Sequence, residues 1–478
     1  MNTKFAFDKI VRSVYWLVPV FIIRFVLKYA FEPKPFFYNE TLYNNSFLIA
    51  QMYTFIIVLC IVAFLSVRYK LTWKKLAIDK NISRFLLLLL TLIAWNYFFT
   101  DYNFYFNQWY KWDRILLALF SIGSIFYPLF LLPALLQICL IRYQYIFPIG
   151  GYSFLDQTMP FELLAISISF IIVLLIIKSF NTTFNKSHPL PQNNHLFVLL
   201  ICVLSACYFY AGVAKAHISP HGFEWAFENH LSHNIIAMSN RGWLNQYPQI
   251  AQFVMNHEQS FDGLGQITML LGELVFVFVL LSRQLSVVLI SLMLLLHLTI
   301  FVINGAFFWI WMITDIGFII LIRNYSKEFN FTNALMGICT IWLVGTICPV
   351  PKLGWFDGPI DNRFQLIAND SIELSEASLS PYTRHFLHGN FLPTVDAKTI
   401  NPGSLVYDYQ QYKKALGCND TIDVNQYYNE FGNNKFVASQ KEKMKEFLLA
   451  YMHQSKPNPL HFLQPPSYWN AQNTCAFQ

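Results

Sequence analysis

The sequence predicts an all-α integral membrane protein: a polytopic helical bundle of nine or ten spans, followed by a small mixed C-terminal domain. Three observations predict it. Of 478 residues, 55% are hydrophobic and only 13% charged. A soluble domain has about 45–50% apolar and about 25% charged residues. The apolar residues also fall into runs near the roughly 20 residues that cross a bilayer. Finally, the charge divides along the chain. From Trp355 onward there are 10 Lys+Arg against 12 Asp+Glu, whereas the preceding part is strongly basic. This composition excludes an ordinary water-soluble enzyme, a disordered chain and a nucleic-acid-binding protein.

Ten apolar runs lie at about 14–31, 47–66, 84–99, 115–141, 161–179, 195–214, 264–281, 285–303, 306–322 and 334–350. Arg24 and Lys28 interrupt the first. The fourth is too long for one straight helix and contains Pro128 and Pro133, so it is either a kinked span or a span plus a re-entrant piece. The short loop after the second run carries Arg68, Lys70, Lys74, Lys75, Lys80 and Arg84. With the basic N-terminus, it predicts that both face the cytoplasm. Lys4, Lys9 and Arg12 precede the first run without a small-residue cleavage site, so the first span is expected to persist in the mature protein. A bacterial chain of this kind belongs in the inner, cytoplasmic membrane, with membrane lipid as its first partner. The expected division is a membrane domain over 1–352 and a hydrophilic domain over 353–478, with one clear helix at Gln440–Gln454. Six of the eight cysteines read as small buried hydrophobes. Cys418 and Cys475 lie in polar sequence and would pair only in an oxidising compartment.

The chemistry concentrates where the sixth run ends, in Tyr208-Phe209-Tyr210-Ala211-Gly212-Val213-Ala214-Lys215-Ala216-His217. Ala211 and Gly212 allow close approach of another helix. Lys215 is either a snorkelling interfacial lysine or a desolvated base. Glu273 lies inside a span, where an acid marks a pathway or a buried pair, and Arg24 is one candidate partner. Asp315 follows Trp309 and Trp311 and reads as an interfacial acid. Arg142, beside Gly150-Gly151, either anchors the positive-inside end or holds an anionic headgroup or substrate carboxylate. Asp156 and Glu162 flank the same break and read as a solvated loop. Trp225 and Trp243 read as interfacial anchors.

A second reading uses His217, His221, His230 and His233. Spacings of four and three put imidazoles on one helix face, and Glu224 and Glu228 lie between them. Imidazole plus carboxylate is a ligand set for non-haem iron or zinc, which would make the protein a metal-dependent membrane oxidase or hydroxylase. Pro220 and Gly222 work against a continuous helix from His217. The chain has no Walker A loop, dinucleotide fingerprint, HExxH or GxSxG.

The run Tyr208-Phe209-x-Ala211-Gly212-Val213-x-Lys215 resembles the segment around the active-site lysine of the vitamin K-dependent gamma-carboxylase family. That family belongs to the horizontally transferred transmembrane (HTTM) domain proteins. Gly272-Glu273 is similar to the family's polar site within a span. His297, with Phe301, Asn304-Gly305, Phe307 and Phe308, looks like its histidine helix and break. The resemblance covers about residues 115–325. It implies Lys215 as the base acting on a reduced naphthoquinone, with His297 and Glu273 orienting or shuttling protons. Tyr210, Gly212, His217, Trp225 and Arg142 are the implied substrate or cofactor contacts, and a peptide or protein is the implied substrate. The family's doubled lysine is Ala214-Lys215 here, and its following acid is Ala216-His217. The tail is also shorter, and nothing in it matches a propeptide-binding surface. A third expectation is therefore a non-catalytic membrane factor that assists maturation or export of a partner.

Overall fold

In the computed structural model, the residues described are 15–31, 46–99, 109–149, 155–185, 190–230, 233, 247–304, 307–348, 350–351, 354–362, 365–368, 372–375, 403–406, 408–419 and 421–431. Trp243, Cys475 and the helix expected at 440–454 lie outside them.

Seven helices lead to the candidate site. These are α1 (Leu17–Phe31), α2 (Ser46–Arg68), α3 (Lys80–Phe99), α4 (Trp109–Phe126), α5 (Leu131–Ile149), α6 (Leu155–Thr183) and α7 (Asn193–His217). A short α8 (Trp225–Glu228) and α9 (Pro248–Asn256) follow. Next come α10 (Glu258–Val275), which runs on as a 3-10 segment over Phe276–Leu281, then α11 (Arg283–Asn304), α12 (Trp309–Ile322) and α13 (Phe331–Ile347). Among the described residues, five helical stretches are long and apolar enough to cross a membrane: Lys80–Phe98, Thr158–Thr183, Asn193–His217, Asp262–Leu281 and Arg283–Ile303. The fold is the expected all-α membrane-type bundle.

The fourth apolar run is two helices, not one kinked span. Tyr127 is extended, at φ −130° and ψ 111°, and Pro128 opens a 3-10 turn over Pro128–Phe130 before α5. A proline suits a first turn because its missing N–H would have had no partner there. Local polar bonds fix other helix starts. The Asp79 carboxylate accepts the Asn81 amide at 2.7 Å, ahead of the main body of α3. The Asn193 side chain accepts the Asp79 amide at 2.9 Å and donates to the Ala77 carbonyl at 2.8 Å. These bonds tie the starts of α3 and α7 together.

α7 is the central helix. It is apolar all round, as a helix surrounded by others must be, and its faces meet α6, α10, α13 and the 3-10 segment. Gly212 on α7 is required by that packing. A Cβ there would lie 2.9 Å from the Glu273 Cβ and 3.2 Å from the Leu274 nitrogen. The expected close approach of helices at Ala211-Gly212 is therefore the contact that brings α10 against α7.

The described C-terminal residues form β1 (Phe356–Asn362), β2 (Gln365–Ala368), β3 (Ile372–Ser375), β4 (Gly403–Val406), α14 (Tyr409–Leu416) and α15 (Thr421–Phe431). β1 pairs antiparallel with β4 through Phe356↔Val406 and Asp357↔Leu405. β2 and β3 form an antiparallel pair from Gln365↔Ser375 to Ala368↔Ile372. Phe356, Val406 and Tyr412 share a buried cluster with Ala216, Trp225 and Leu270. The start of this region thus packs on the end of α7 and on α10.

Candidate functional site

The site begins with a buried ion pair between the two helices that Gly212 brings together. Lys215 Nζ, near the end of α7, lies 2.6 Å and 2.8 Å from the two carboxylate oxygens of Glu273 on α10. Both side chains are almost fully buried. The lysine therefore does not snorkel, and its partner is Glu273. The Trp225 ring on α8 lies 5.5 Å from the ammonium, within cation–π range. Trp225 is held by its indole N–H, which donates to the Trp355 carbonyl.

Two turns before Lys215, on the same face of α7, the Tyr208 hydroxyl donates to Asp315 Oδ2 on α12 at 2.7 Å. His297 on α11 places its Nδ1 at 3.8 Å from that same oxygen. Its ring stacks on Phe308, with centroids 5.1 Å apart, and meets Trp311 edge-on at 5.5 Å. His297 Nδ1 and Asp315 Oδ1 are buried without a hydrogen-bond partner among the described residues. A small rotation would let the two groups meet.

Lys215, Glu273, His297 and Tyr208 line one cavity of about 380 Å³. This is within the roughly 300–1,000 Å³ range of small-molecule sites. Trp225, Trp355 and Asp357 line it near the lysine, and Phe308 and Trp311 near the histidine. The remaining wall is aliphatic, built from α10 and α11 by residues including Leu264, Leu292, Leu295, Ile300 and Ile303. Leu264 and Leu295 are also exposed on the outer surface of the bundle. The cavity thus has a polar, aromatic end and an apolar side adjoining the exposed apolar surface of the bundle.

The three residues expected to act chemically, Lys215, Glu273 and His297, are brought together here, with Trp225. Gly212 acts from behind by letting α10 close on α7. Several other expectations are corrected. Tyr210 turns away, with its hydroxyl 3.5 Å from the Trp342 carbonyl and its ring over Gly345 on α13. His217 is exposed and its Nδ1 lies 2.8 Å from the Val213 carbonyl, one turn back on α7. Arg142 is neither a surface anchor nor a cavity residue. It is buried, accepted at 3.0 Å by the Tyr97 hydroxyl oxygen and stacked 4.1 Å from the Phe161 ring. Arg24 pairs with Glu162, not Glu273. Glu162 is accordingly a fully buried residue of α6, because that helix begins at Leu155 and carries Pro160 within it. Asp315 is also fully buried, since the tryptophans taken for an interfacial belt point inward.

The four histidines of the metal reading meet different partners. His221 is exposed, 4.0 Å from Glu224. His230 lies 3.6 Å from Asp262. His233 Nδ1 lies 3.1 Å from the Asp357 carbonyl, and burial holds its imidazole below the usual histidine range. Gly222 at φ +64° and Phe223 at φ +55° break the chain between the two pairs. Among the described residues, no three His, Cys, Asp or Glu side chains converge as a metal site.

The C-terminal region supplies part of the site. Asp357 is buried, accepts the Asn229 side-chain amide at 2.8 Å, and donates its own backbone N–H to the same side chain at 2.6 Å. Further out, the Tyr409 hydroxyl donates to Glu228 at 2.9 Å and Lys413 Nζ lies 2.8 Å from it. The sequence gives no role to Tyr208, Trp355 or Asp357, and it places Asp315 at the interface rather than in the site. Asp315 had a usable signal, an acid within an apolar helix, and Tyr208 stands seven residues before Lys215. Trp355 and Asp357 had none.

No family model, curated protein or solved structure matches this chain.

Proposed function

We propose that the protein is a multi-pass membrane enzyme of the gamma-carboxylase-like type, with the Lys215–Glu273 pair as its proton-transfer centre and a reduced naphthoquinone as co-substrate. The observation that carries this reading is a lysine–carboxylate pair buried in the wall of a cavity that has aromatic faces at one end and lipid-facing aliphatic residues along one side. An ion pair used only for stability needs no such access.

The residues present fit such a ligand. Trp225, Phe308 and Trp311 offer faces and edges to a planar head, and the α10–α11 wall suits an apolar tail reaching the cavity from the bilayer. When bound, the reduced quinone would supply, with oxygen, a base strong enough to take a carbon-bound proton for carboxylation or a related reaction of a peptide or protein substrate. The chain's own part is proton handling. A ligand hydroxyl placed beside the Lys215–Glu273 pair would have both the amine and the carboxylate within reach as proton acceptors, each held in place by the other. His297 and Tyr208, held near Asp315 in the cavity wall, would be the polar groups available to a second oxygen of the ligand. The metal-dependent alternative has less support, because only His230 and His233 lie together, with ring centroids 5.0 Å apart, while His217 and His221 are exposed and no third ligand joins them among the described residues.

The test is oxidation of a reduced naphthoquinone by the purified protein in detergent, with quinone epoxide followed by mass spectrometry and Lys215→Ala as control. Epoxide from the wild type and none from the variant is the expected result. No epoxide from either overturns the carboxylase-like mechanism and turns attention to the partner-assisting role.

A further inference from the structure

The polar loop between α8 and α10 contains a helix whose outer face does not suit water. α9 is nine residues long, about 14 Å at 1.5 Å per residue, and far too short to cross a core of roughly 30 Å. Its inner face is settled, with Ala251 and Val254 packing on Val302 and Ile303 at the end of α11. Beside the packed residues, one flank of α9 presents Ile250 and Phe253, 51% and 58% exposed, with the Phe253 ring centroid 4.2 Å from that of His257, and Tyr247 is exposed just ahead of it. Gln252 and Asn256 are bonded to each other at 3.0 Å along a different face. α9 carries no charged residue that would favour full hydration.

What covers Ile250 and Phe253 follows from where α9 sits. α11 exposes Val288, Leu295 and Leu298, which is the surface it turns to lipid. α9 rests on the last turn of that same helix, so its outward face continues the apolar belt at the belt's edge. A short amphipathic helix at that level lies in the plane of the interface, with its apolar face immersed about 5–10 Å. We propose that α9 is an interfacial helix whose Tyr247, Ile250 and Phe253 are immersed at the boundary between headgroups and acyl chains. Ile303, on which α9 packs, also lines the cavity, as does the exposed Leu264 of α10. This inference goes beyond the proposed function and does not depend on it.

The test uses the full-length protein in phosphatidylcholine–phosphatidylglycerol vesicles, with the exposed Cys60 and Cys339, the half-buried Cys418 and Cys475 of the polar tail replaced by alanine. An environment-sensitive fluorophore is attached to single cysteines introduced as Ile250→Cys, Phe253→Cys, Gln252→Cys, Leu264→Cys and Leu295→Cys. Lipids carrying a quencher at a shallow or a deep acyl position, and aqueous iodide, then report depth. At positions 250, 253 and 264 the shallow lipid quencher should be at least twofold more effective than the deep one. The order should reverse at 295, and iodide should dominate at 252. Iodide quenching at 250 and 253 equal to that at 252 overturns the proposal, because α9 would then stand in water. Absence of quenching by either agent also overturns it, because protein would then cover the face.

Discussion

Arg24–Glu162 and Lys215–Glu273 are both buried ion pairs of this bundle, and they differ in what surrounds them. Arg24 on α1 and Glu162 on α6 meet through a forked contact, with Nε–Oε2 at 3.0 Å, Nη2–Oε1 at 2.6 Å and Nη2–Oε2 at 2.7 Å. Both side chains are fully buried, and neither lines the cavity. Lys215 and Glu273 are nearly as buried and just as close, yet both form the cavity wall. In each case a charge in an apolar helix found an opposite charge on a neighbouring helix. Only in the second does the packing leave space for a third molecule. Burial and charge therefore mark both pairs alike, and access alone separates a helix-to-helix tie from a reaction centre.

That separation is broken or sharpened first at the closed pair. Arg24→Met should destabilise the bundle by about 3–5 kcal/mol, because it leaves a carboxylate buried without its counter-charge. The double variant Arg24→Met/Glu162→Leu should recover most of the loss, since well-packed apolar replacements of a buried pair are often neutral. Thermal unfolding in detergent measures both. A single variant as stable as wild type would show that water reaches this pair, and the contrast with Lys215 would fall.

Lys215→Met should behave in the opposite way. The cavity can admit water to the surviving Glu273 carboxylate, so the expected loss of stability is smaller, about 1–3 kcal/mol. The loss of quinol oxidation should be about 10²–10⁴-fold, the usual effect of removing a general base. Unfolding and turnover measured on one preparation test both halves. Equal damage to stability from Arg24→Met and Lys215→Met would make the second pair a tie like the first.

The sequence makes one pair more visible than the other for a physical reason. Lys215 follows a small-residue pair at the end of an apolar run, and Glu273 lies well inside another, so both stand out from their surroundings. Glu162 follows Pro160 closely and near a glycine pair, the pattern of a loop. α6 nevertheless begins five residues before that proline and carries it inside the helix. Asp315 was misread because tryptophans on a uniformly apolar helix give no hint of which face turns inward. Trp309 and Trp311 prove to be buried. The helices themselves were legible, because every apolar run near membrane length became helical. The division of the fourth run at Tyr127–Pro128 depended on how a proline is accommodated, and a hydropathy pattern does not encode that. The contribution of Trp355 and Asp357 was illegible because it comes from chain packing back over a distance of more than a hundred residues.

Gly212→Ala probes the comparison from the backbone. The new methyl would lie 2.9 Å from the Glu273 Cβ and 3.2 Å from the Leu274 nitrogen, so α7 and α10 must separate slightly. Overpacking of this kind costs about 1–3 kcal/mol. A displacement of about 1 Å at a reacting centre costs about 10²-fold in rate. Turnover should therefore fall further than stability does. Proportionate loss of both would indicate that the spacing of these helices serves packing alone.

The smallest effect is expected at a third ion pair, Glu228 with Lys413, which is partly exposed and joins α8 to α14. Burial pushes the Glu228 carboxyl up, but hydrogen bonds from Lys413 and Tyr409 outweigh it and hold the group below its ordinary 4.5. A carboxylate depressed in the folded state contributes stability that is present above its unfolded value and is lost as the pH falls through the folded value. The bond to Glu228 likewise holds Lys413 above its ordinary 10.5, so its contribution disappears only as the pH rises past that value. The contact should thus be constant across neutral pH and weaken below about pH 4.5. Hydrogen exchange of the α14 amides, corrected for intrinsic rate, should show protection falling on acidification, and Glu228→Gln should give the same loss at pH 7. The bond from the Asp357 backbone N–H to the Asn229 side chain should hold the start of β1 in place meanwhile, because neither of its two groups titrates. Uniform loss of protection from α14 through β1 would mean that the whole C-terminal region docks as one unit on the exposed pair. In that case Trp355 and Asp357 would leave the cavity with it, and acid would open the polar end of the site.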